Sequence, residues 1–378
     1  MKIGYDAKRL FFNASGLGNY SRDLLRILSE KREGFSFLLF SKKASDRGAF
    51  LLEKDHVELK VLKGGKFARQ FSMGIQAQEE GCDLFHGLSG ELPLKWNSKP
   101  IGKILTVHDL IFLRYPKYYS FFDRKIHLWK VKKAAEVADR IIAISKRTAE
   151  DLVELLGVDP KKIEVIYQGC HESFKEVKTR EELNAVKEKY ALPDRYLLSV
   201  GTIEERKNLL GIAKALHLLK DTNIPLVVVG KKTSYYNKVV KFFKKHGLEN
   251  RVVFLSGVTM QELSCVYILA DVFVYPSRYE GFGIPIIEAL YSGTPVIAAN
   301  SSCLQEAGGP SSLYVLEDKE EDLASKIKYL WDNEAKRREM KEKGLEYVQR
   351  FNDQRIITEV LDLYERVHKE VVEKSESL

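Results

Sequence analysis

The feature that most constrains the fold of this chain is a repeated alternation of short apolar runs with longer stretches of helical periodicity. The runs are four to seven residues long and lack regular polar alternation, which is typical of strands buried on both faces of a parallel sheet. Helix-length stretches separate them, as parallel strands require. We predict strands at KIGYD, SFLLF, VELKVL, DLFHG, ILTVHD, RIIAIS and IEVIYQG, and then at YLLSVG, PLVVVG, VVFLSG, VFVYPS, TPVIAA and SLYV.

The alternation runs through the sequence twice, with an interruption near residues 170–192, where charged residues cluster. We therefore predict an α/β fold of two Rossmann-like parallel-sheet domains, residues 1–172 and 173–351, that face a cleft. Residues 352–378 read as one long amphipathic helix without a strand partner. Ligands of such sheets bind beyond the carboxyl ends of the strands, so residues in those positions are the first candidates for function.

Composition narrows the class of protein. The 378 residues suffice for two domains, and no stretch approaches the roughly 18 uninterrupted apolar residues that a membrane span needs. The opening MKIGYDAKRL lacks the layout of a secretory signal, so we expect a cytoplasmic protein. The four cysteines are widely spaced and form no Cys/His cluster, which indicates neither a zinc site nor a disulfide framework.

Positive charge is concentrated in the first part of the chain. Of the net charge of +8, residues 1–140 contribute 26 Lys and Arg against 16 Asp and Glu. This favours an anionic partner, either a lipid headgroup surface or a phosphorylated acceptor, although a solvated basic surface is equally consistent. The segment RYPKYYSFFDRKIHLWKVKKAAEVADR mixes aromatic and basic residues and suits a membrane interface, or a helix that packs its aromatics on the sheet. No nucleic-acid-binding signature accompanies it.

The strongest candidate site follows the run VFVYPS. Gly281 and Gly283 let backbone amides approach a ligand, and the predicted helix that begins near Pro285 directs its positive end to the same place. Glu280 and Glu288 flank this helix start and could reach hydroxyl groups on either side of a diphosphate. The alternative is that they are a dipole partner and an ordinary residue of the helix surface.

Three weaker candidates also follow predicted strands. Arg206 and Lys207 are adjacent cations after YLLSVG, His108 ends ILTVHD, and Gly16 and Gly18 precede a helix after the first strand. Each also has a structural alternative. Arg206 and Lys207 could form a solvated basic turn, His108 could be a core histidine, and the two glycines could form a tight turn that leads into the helix. His86, which ends DLFHG, is a weaker candidate still. The glycine loop lacks the third glycine and the acidic residue of a dinucleotide fingerprint, which disfavours a nicotinamide enzyme.

The stretch from FLSGVTMQEL to QEAGG, together with LLSVGTIEERKNLLGIAKAL, resembles glycosyltransferase family 4 with its E-x7-E motif at Glu280 and Glu288. The resemblance implies a GT-B fold with an acceptor-binding domain (1–172), a nucleotide-sugar domain (173–351) and a helix (352–378) that crosses back to the first domain. It implies a retaining enzyme. Because Arg206, Lys207 and the helix start could take the negative charge and no Asp-x-Asp pair follows a predicted strand, we also expect an enzyme without a metal or a cofactor. Many members carry Arg at the position of Thr202, and we assign that duty to Arg206.

The resemblance also implies roles for individual residues. Arg206 and Lys207 would hold the donor diphosphate, Glu280 the transferred sugar, Glu288 the ribose, and His108 the hexose and the reacting centre. The residues implied in catalysis are His108, Glu280, Arg206 and Lys207. Those implied in donor binding are Gly16, Gly18, Gly257, Val258, Gly281, Phe282, Gly283, Ile284 and Glu288.

Within the family, IGYDAKRL, GLGNYSRDLL and SVGTIEERKN are most similar to bacterial mannosyltransferases that build O-antigen and other surface polysaccharides. We therefore expect transfer of a hexose, with GDP-mannose as the leading donor, to a glycan or lipid-linked acceptor. We also expect peripheral contact of the first domain with an anionic membrane. The alternatives are a UDP-sugar-dependent enzyme of the same family, a nucleotide-sugar epimerase and a non-catalytic sugar-nucleotide-binding subunit.

Overall fold

The structure is a computed structural model that describes residues 1–30, 33–65, 67–301 and 303–377. The chain forms two compact units. Unit 1 combines Met1–Gly169 with Phe351–Leu378, and unit 2 is Cys170–Arg350. The boundaries predicted from the sequence lie after residues 172 and 351.

Unit 1 is built on a parallel sheet in which the described residues form seven strands, in the order β3-β2-β1-β4-β5-β6-β7. Its strands are β1 (Lys2–Asp6), β2 (Ser36–Ser41), β3 (Val57–Val61), β4 (Leu84–Gly87), β5 (Gly102–Val107), β6 (Arg140–Ala143) and β7 (Ile163–Val165). Its helices are α1 (Lys8–Phe12), α2 (Gly16–Leu28), α3 (Ala68–Phe71), α4 (Met73–Glu79), α5 (Ile111–Arg114), α6 (Phe121–Val137), α7 (Lys146–Leu156) and, far along the chain, α16 (Asp353–Glu376).

Unit 2 contains a six-stranded parallel sheet of order β10-β9-β8-β11-β12-β13 in its described part. The strands are β8 (Leu197–Val200), β9 (Leu226–Val229), β10 (Val252–Leu255), β11 (Val272–Tyr275), β12 (Val296–Ala299) and β13 (Leu313–Val315). The helices are α8 (Arg180–Lys189), α9 (Leu209–Leu218), α10 (Ser234–Lys245), α11 (Met260–Leu269), α12 (Ile284–Tyr291), α13 (Leu304–Gly308), α14 (Glu320–Asp332) and α15 (Glu334–Val348).

All of the apolar runs predicted as strands are strands, and the α/β prediction of two parallel-sheet domains is confirmed. The runs are correct because a strand covered by helices on both faces must be apolar on both faces. Several runs extend past the strand into the loop beyond its carboxyl end. His108, for example, directly follows β5 rather than ending it.

The helix α16 packs on unit 1, as the sequence analysis expected. Its inward face is buried against the core around β1 and β4, and each such side chain contributes about 1.5–3 kcal/mol by leaving water. Near its centre, the hydroxyl of Tyr364 lies 3.2 Å from the hydroxyl of Tyr5 and 2.7 Å from Nδ1 of His86. The buried residues of α16 are Ile356, Ile357, Val360, Leu363, Tyr364 and Val367.

Two details of unit 1 differ from expectation. Gly16 and Gly18 lie in the first turn of α2 rather than in the loop before it. In addition, the first half of α6 does not pack its aromatics on the sheet, because Phe122 and Trp129 are exposed. Within the described ranges, no helix combines the length and apolar composition that a membrane span requires.

Candidate active site

The candidate site in unit 2 lies where two neighbouring strands end. β8 and β11 pair in parallel, with Leu197 opposite Val272, so their carboxyl ends are side by side. The loop after β8 contains a 3-10 turn, Glu205–Lys207, and the loop after β11 leads to α12. The two loops are joined through their backbones, because the amide of Arg278 donates to the carbonyl of Arg206 at 3.0 Å.

The carboxylate of Glu280 is the centre of a buried ionic cluster. Its Oε1 accepts hydrogen bonds from Nζ of Lys207 (2.6 Å), the hydroxyl of Tyr275 (2.9 Å) and the hydroxyl of Ser277 (2.5 Å). Its Oε2 lies 2.8 Å from a guanidinium nitrogen of Arg206. Glu280 is only 8% exposed. The structure therefore brings Arg206, Lys207 and Glu280 together.

The two cations set the charge state of this carboxylate. Burial alone raises the pKa of Glu280, but the charges of Lys207 and Arg206 outweigh it and lower the pKa to about 2. Burial lowers the pKa of Lys207, partly offset by Glu280. For Arg206, burial also favours the neutral form, but Glu280 and then Glu204 overcome it and raise the pKa. Arg206, Lys207 and Glu280 together carry a net charge of about +1, and the carboxylate of Glu204, 2.7 Å from Arg206, brings the total to about zero. The feature that favours an anionic ligand here is therefore the amino end of α12 beside the two cations, rather than an excess of positive charge.

Tyr275 is a member of this cluster that the sequence analysis missed. Lys207 donates to its hydroxyl at 2.6 Å, and that hydroxyl donates in turn to Glu280. The Lys207 ammonium also lies 5.0 Å from the centre of the Tyr275 ring. In the run VFVYPS a tyrosine reads as a core residue, so the sequence gives no signal that its hydroxyl completes an ionic network.

Cys303 holds the turn between Glu280 and α12 in place through hydrogen bonds to its backbone. Its Sγ lies 3.3 Å from the carbonyl oxygen of Glu280 and 3.0 Å from that of Phe282, so its one proton is shared between the two acceptors. Gly283 has a φ of 121°, which disfavours any residue with a side chain, and it is the residue before the first turn of α12. Ile284 begins α12 and Phe282 is buried. The predicted glycine turn and helix start are therefore present, with Gly281 beside them.

Glu288 lies within α12, where it is 7% exposed. Its Oε2 accepts a hydrogen bond from the hydroxyl of Tyr267 at 3.0 Å. Burial raises the pKa of Glu288 to about 7, although the Tyr267 bond and the charge of Lys207 both act to lower it. Tyr267 itself is fixed between the rings of Phe174 and Phe273, at 5.6 and 5.2 Å. An ordinary helix-surface position, the alternative considered for Glu288, does not fit this burial.

Gly257 and Val258 follow β10, the strand at one edge of the sheet of unit 2 and two strands away from β8. Gly257 is exposed and has a φ of 72°, with no atom near the position that a Cβ would take. Thr259 then caps α11 through a reciprocal pair of hydrogen bonds with Glu262. This segment lies at the carboxyl edge of the sheet of unit 2, directly after β10.

In unit 1, the glycines near α2 have different surroundings. A Cβ on Gly18 would lie 2.0 Å from the carbonyl oxygen of Asn13, so close packing of that turn requires glycine there. Arg22 secures the same turn by donating to the carbonyl of Asn13. Gly16 has open space in the position of a Cβ. The packing accounts for Gly18, and a ligand role for either glycine stays a prediction.

The two histidines at the end of unit 1's central strands differ sharply. His86 is fully buried in β4 and bonded through both ring nitrogens, Nδ1 to Tyr364 and Nε2 to Thr106 (2.7 Å), which makes it a core histidine. His108 is partly exposed, and its Nε2 lies 2.9 Å from the carbonyl of Leu88. Burial lowers the pKa of His108 to about 4, so the ring is neutral at pH 7.

No group of three or more His, Cys, Asp or Glu side chains that could hold a metal ion occurs among the residues that the structure describes. The groups that the structure brings together in unit 2 are Arg206, Lys207, Tyr275, Ser277 and Glu280, with the start of α12 adjacent and Glu288 within it. Cations and the amino end of a helix directed to one place can bind and stabilise a phosphate group.

Two family models of known proteins match the chain, one in each half. Residues 14–174 match the family model "Glycosyltransferase Family 4", and residues 181–347 match "Glycosyl transferases group 1". The chain is 23% identical over 389 aligned positions to O-antigen chain mannosyltransferase B of Escherichia coli, covering 96% of this chain and 99% of that one. It is 27% identical to the E. coli serotype-specific mannosyltransferase WbdA over 71% of its own length, but spans only 34% of that longer protein.

The fold is also found in solved structures. The structure of Anabaena HepE in complex with UDP and glucose superposes with a TM-score of 0.75 at 16% identity, covering 97% of this chain and 100% of that one. At this identity the likeness concerns the fold, which is the GT-B fold expected from the sequence.

Proposed function

Because this chain is a glycosyltransferase of family 4, we propose that it transfers mannose from GDP-mannose, with retention of anomeric configuration, to a glycan or lipid-linked acceptor of a cell-surface polysaccharide. The choice of sugar follows the two E. coli relatives, both of which are named mannosyltransferases. The named role of the first relative, O-antigen chain synthesis, supports the class of acceptor.

The observation that carries the proposal is the buried cluster of Arg206, Lys207 and Glu280 beside the amino end of α12. Breaking a sugar–phosphate bond leaves negative charge on the diphosphate and positive character on the sugar. The two cations and the amino end of α12 would stabilise the negative charge on the diphosphate. The ionised carboxylate of Glu280 would face the positive character on the sugar. Charges that the folded protein already holds in position stabilise the transition state without the cost of rearranging them.

Retention is proposed through attack on the same face of the sugar. The bond between C1 and the phosphate oxygen breaks, the acceptor oxygen bonds to C1, and the acceptor proton passes to the departing phosphate. Glu280 is a poor candidate for a covalent nucleophile, since both of its oxygens are held by cations and hydroxyl groups. Arg206 and Lys207 supply the charge that a metal ion would otherwise supply, and the proposed reaction therefore uses no metal or cofactor.

The remaining predicted residues take their proposed roles from the family. Glu288 would bind the ribose hydroxyls, Gly257 and Val258 the base, and His108 the hexose. Gly16 and Gly18 would line the donor phosphates. The cytoplasm as location and contact of unit 1 with an anionic membrane surface belong to the same proposal.

Donor binding tests the proposal first. We expect GDP and GDP-mannose to raise the melting temperature more than UDP, ADP or their sugars, because a ligand that binds only the folded state stabilises it by mass action. A Glu288→Gln variant should lose most of this shift. Transfer is then measured with radiolabelled GDP-mannose and membrane extracts as the source of acceptor.

Three results separate the alternatives. A larger shift with UDP and UDP-sugars would assign the chain to the UDP-dependent enzymes of the family. A clear shift with neither transfer nor donor hydrolysis would indicate a non-catalytic binding subunit. Interconversion of the sugar without an acceptor would indicate an epimerase.

A further inference from the structure

The helix α6 of unit 1 has two apolar faces on opposite sides. Val131, Ala134 and Ala135 are buried against the core. Phe122, Ile126 and Trp129 follow the i, i+4, i+7 spacing of a single helix face, and they are 76%, 53% and 49% exposed. At 100° per residue, this second face points about 180° away from Val131. We name Phe122, Ile126 and Trp129 the outer stripe.

The outer stripe is unusual for a surface helix, whose solvent face is normally polar. A scattered exposed apolar residue needs no explanation, but three large ones in line on one helix form a contiguous patch of the kind that marks an interaction site. Phe121 extends the patch at the start of the helix, where it is 58% exposed. The outer stripe is therefore a candidate interaction surface.

The charges beside the stripe select the kind of partner. Lys125 and Lys132 flank it on the same side of the helix, and neither forms an ion pair with any residue that the structure describes. On the same helix, Lys130 pairs with Glu91 at 3.4 Å and Lys133 with Glu136 at 2.7 Å. Lysine is depleted in protein–protein interfaces, whereas Trp, Phe and Lys on one helix are typical of segments that lie on anionic bilayers.

We propose that the outer stripe of α6 is a membrane-docking face that inserts Phe122, Ile126 and Trp129 into the interfacial region of an anionic lipid bilayer, while Lys125 and Lys132 contact the headgroup phosphates. This membrane-docking role rests on the proposed function and extends it, because it names the surface that contacts the membrane.

The position of α6 in the fold agrees with this partner. A crossover helix in a parallel sheet begins near the carboxyl end of the preceding strand. The stripe occupies the first half of α6, so it lies toward the carboxyl edge that also carries His108, directly after β5. A bilayer at this face would be close to the edge of unit 1 where a lipid-linked acceptor is expected.

The test is sedimentation of the purified full chain with vesicles. We expect binding to vesicles of phosphatidylcholine with phosphatidylglycerol added, and little binding to phosphatidylcholine alone. The triple variant Phe122→Gln, Ile126→Gln, Trp129→Gln should bind at least about tenfold more weakly, and Lys125→Gln with Lys132→Gln should lower binding by a similar factor that disappears at high salt. Glutamine favours helices, so circular dichroism should be unchanged.

Matched controls lie in unit 2. Tyr329→Gln removes an aromatic residue of α14 that is 48% exposed, and it is the control for the triple variant of the stripe. Lys220→Gln with Lys245→Gln is the control for the variant of Lys125 and Lys132. Both control variants should bind vesicles as the wild type does.

Three outcomes would overturn the inference. These are no binding of the wild type to anionic vesicles, equal binding of the folded triple variant, and a wild-type dimer that the triple variant converts to a monomer. The proposed function is judged separately, because the triple variant should keep wild-type donor hydrolysis in solution. A chain that binds vesicles through the stripe but transfers no sugar would refute the proposed function alone.

Discussion

Lys207 and Glu280 form a buried ion pair, with Nζ 2.6 Å from Oε1, that joins the loops following two adjacent strands of unit 2. Their side chains are only 17% and 11% exposed. Taking two charges out of water is costly, and a pair so buried contributes little net stability unless further hydrogen bonds satisfy it. Tyr275 and Ser277 supply such bonds. These bonds satisfy the buried pair and hold its two charges in fixed positions.

Lys207→Ala and Glu280→Ala are each expected to lower transfer by orders of magnitude. Glu280→Ala leaves the buried Lys207 without its ion-pair partner, so we expect a loss of roughly 3–5 kcal/mol in the free energy of unfolding. Lys207→Ala leaves Glu280 paired with Arg206, so its loss of stability should be smaller. The measurements are the transfer rate at saturating donor and urea unfolding followed by circular dichroism.

A double variant separates the two effects. Lys207→Met combined with Glu280→Gln removes both charges while keeping the volume, so stability should return to within about 1 kcal/mol of the wild type. Transfer should stay low. Wild-type transfer in the double variant would show that the pair has no part in catalysis.

Tyr275→Phe removes one hydrogen bond to Glu280 and the acceptor of one from Lys207. We expect transfer to fall about tenfold and the free energy of unfolding to drop by roughly 1–3 kcal/mol, because both groups are buried. Steady-state kinetics should show the change mainly in kcat.

Tyr196→Phe is the matched control for this loss of a buried hydroxyl. Tyr196 is also fully buried in unit 2, and its hydroxyl donates to the carbonyl of Val266 at 2.6 Å, away from the ionic cluster. Its variant should lose a similar amount of stability with no change in kcat. An equal fall in kcat in both variants would mean that Tyr275 acts through stability alone.

Glu288 should make stability depend on pH between about 4.5 and 7. Its pKa in the folded state is raised to about 7, chiefly by burial, so the folded state binds more protons than the unfolded one in this range. Its contribution is fully present below the unfolded pKa and is lost as pH rises through about 7. Glu288→Gln cannot ionise, so it should flatten this fall and be more stable than the wild type at pH 8.

The measurement is chemical unfolding across this pH range. Glu280 provides the contrast, since its pKa of about 2 places its loss of stability at acid pH, with the opposite sign. A Glu288→Gln variant whose pH profile matched the wild type would show that Glu288 does not titrate in this range.

His108→Ala and His86→Ala should fail in different ways. His86 accounts for two buried hydrogen bonds, and its loss should cost roughly 2–4 kcal/mol while leaving kcat in the folded protein unchanged. His108→Ala should lower transfer about a hundredfold with a smaller effect on stability. Thermal unfolding and transfer assays on both variants distinguish a core histidine from a functional one.

The strands were predictable because each is covered on both faces, so that burial alone determines its composition. Arg206, Lys207 and Glu280 could be brought together from the sequence, since residues after parallel strands share one edge of the sheet. Which of them contact each other was not predictable at the level of side chains. Tyr275 and Cys303 resemble core residues in the sequence, and only the fold shows what their hydroxyl and thiol groups bond to.

The surface helix α6 was the harder case. Its sequence places apolar residues on two opposite sides of the helix, so periodicity cannot separate the face that packs on the sheet from the one that does not. The helix α2 was misjudged by a few residues for a different reason. The amides of Gly18 and Asn19 donate to the carbonyl of Ser15, so the helix begins at Gly16 and both glycines lie in its first turn.

The placement of α16 in unit 1 has a consequence for synthesis on the ribosome. This helix is translated only after the whole of unit 2, yet it supplies Tyr364, the hydrogen-bonding partner of Tyr5 and His86. The nascent unit 1 therefore emerges with one side of its apolar interior open to water. Unit 2, whose residues are contiguous, can fold first, so the order in which the two halves mature is the reverse of the order in which they begin to be made.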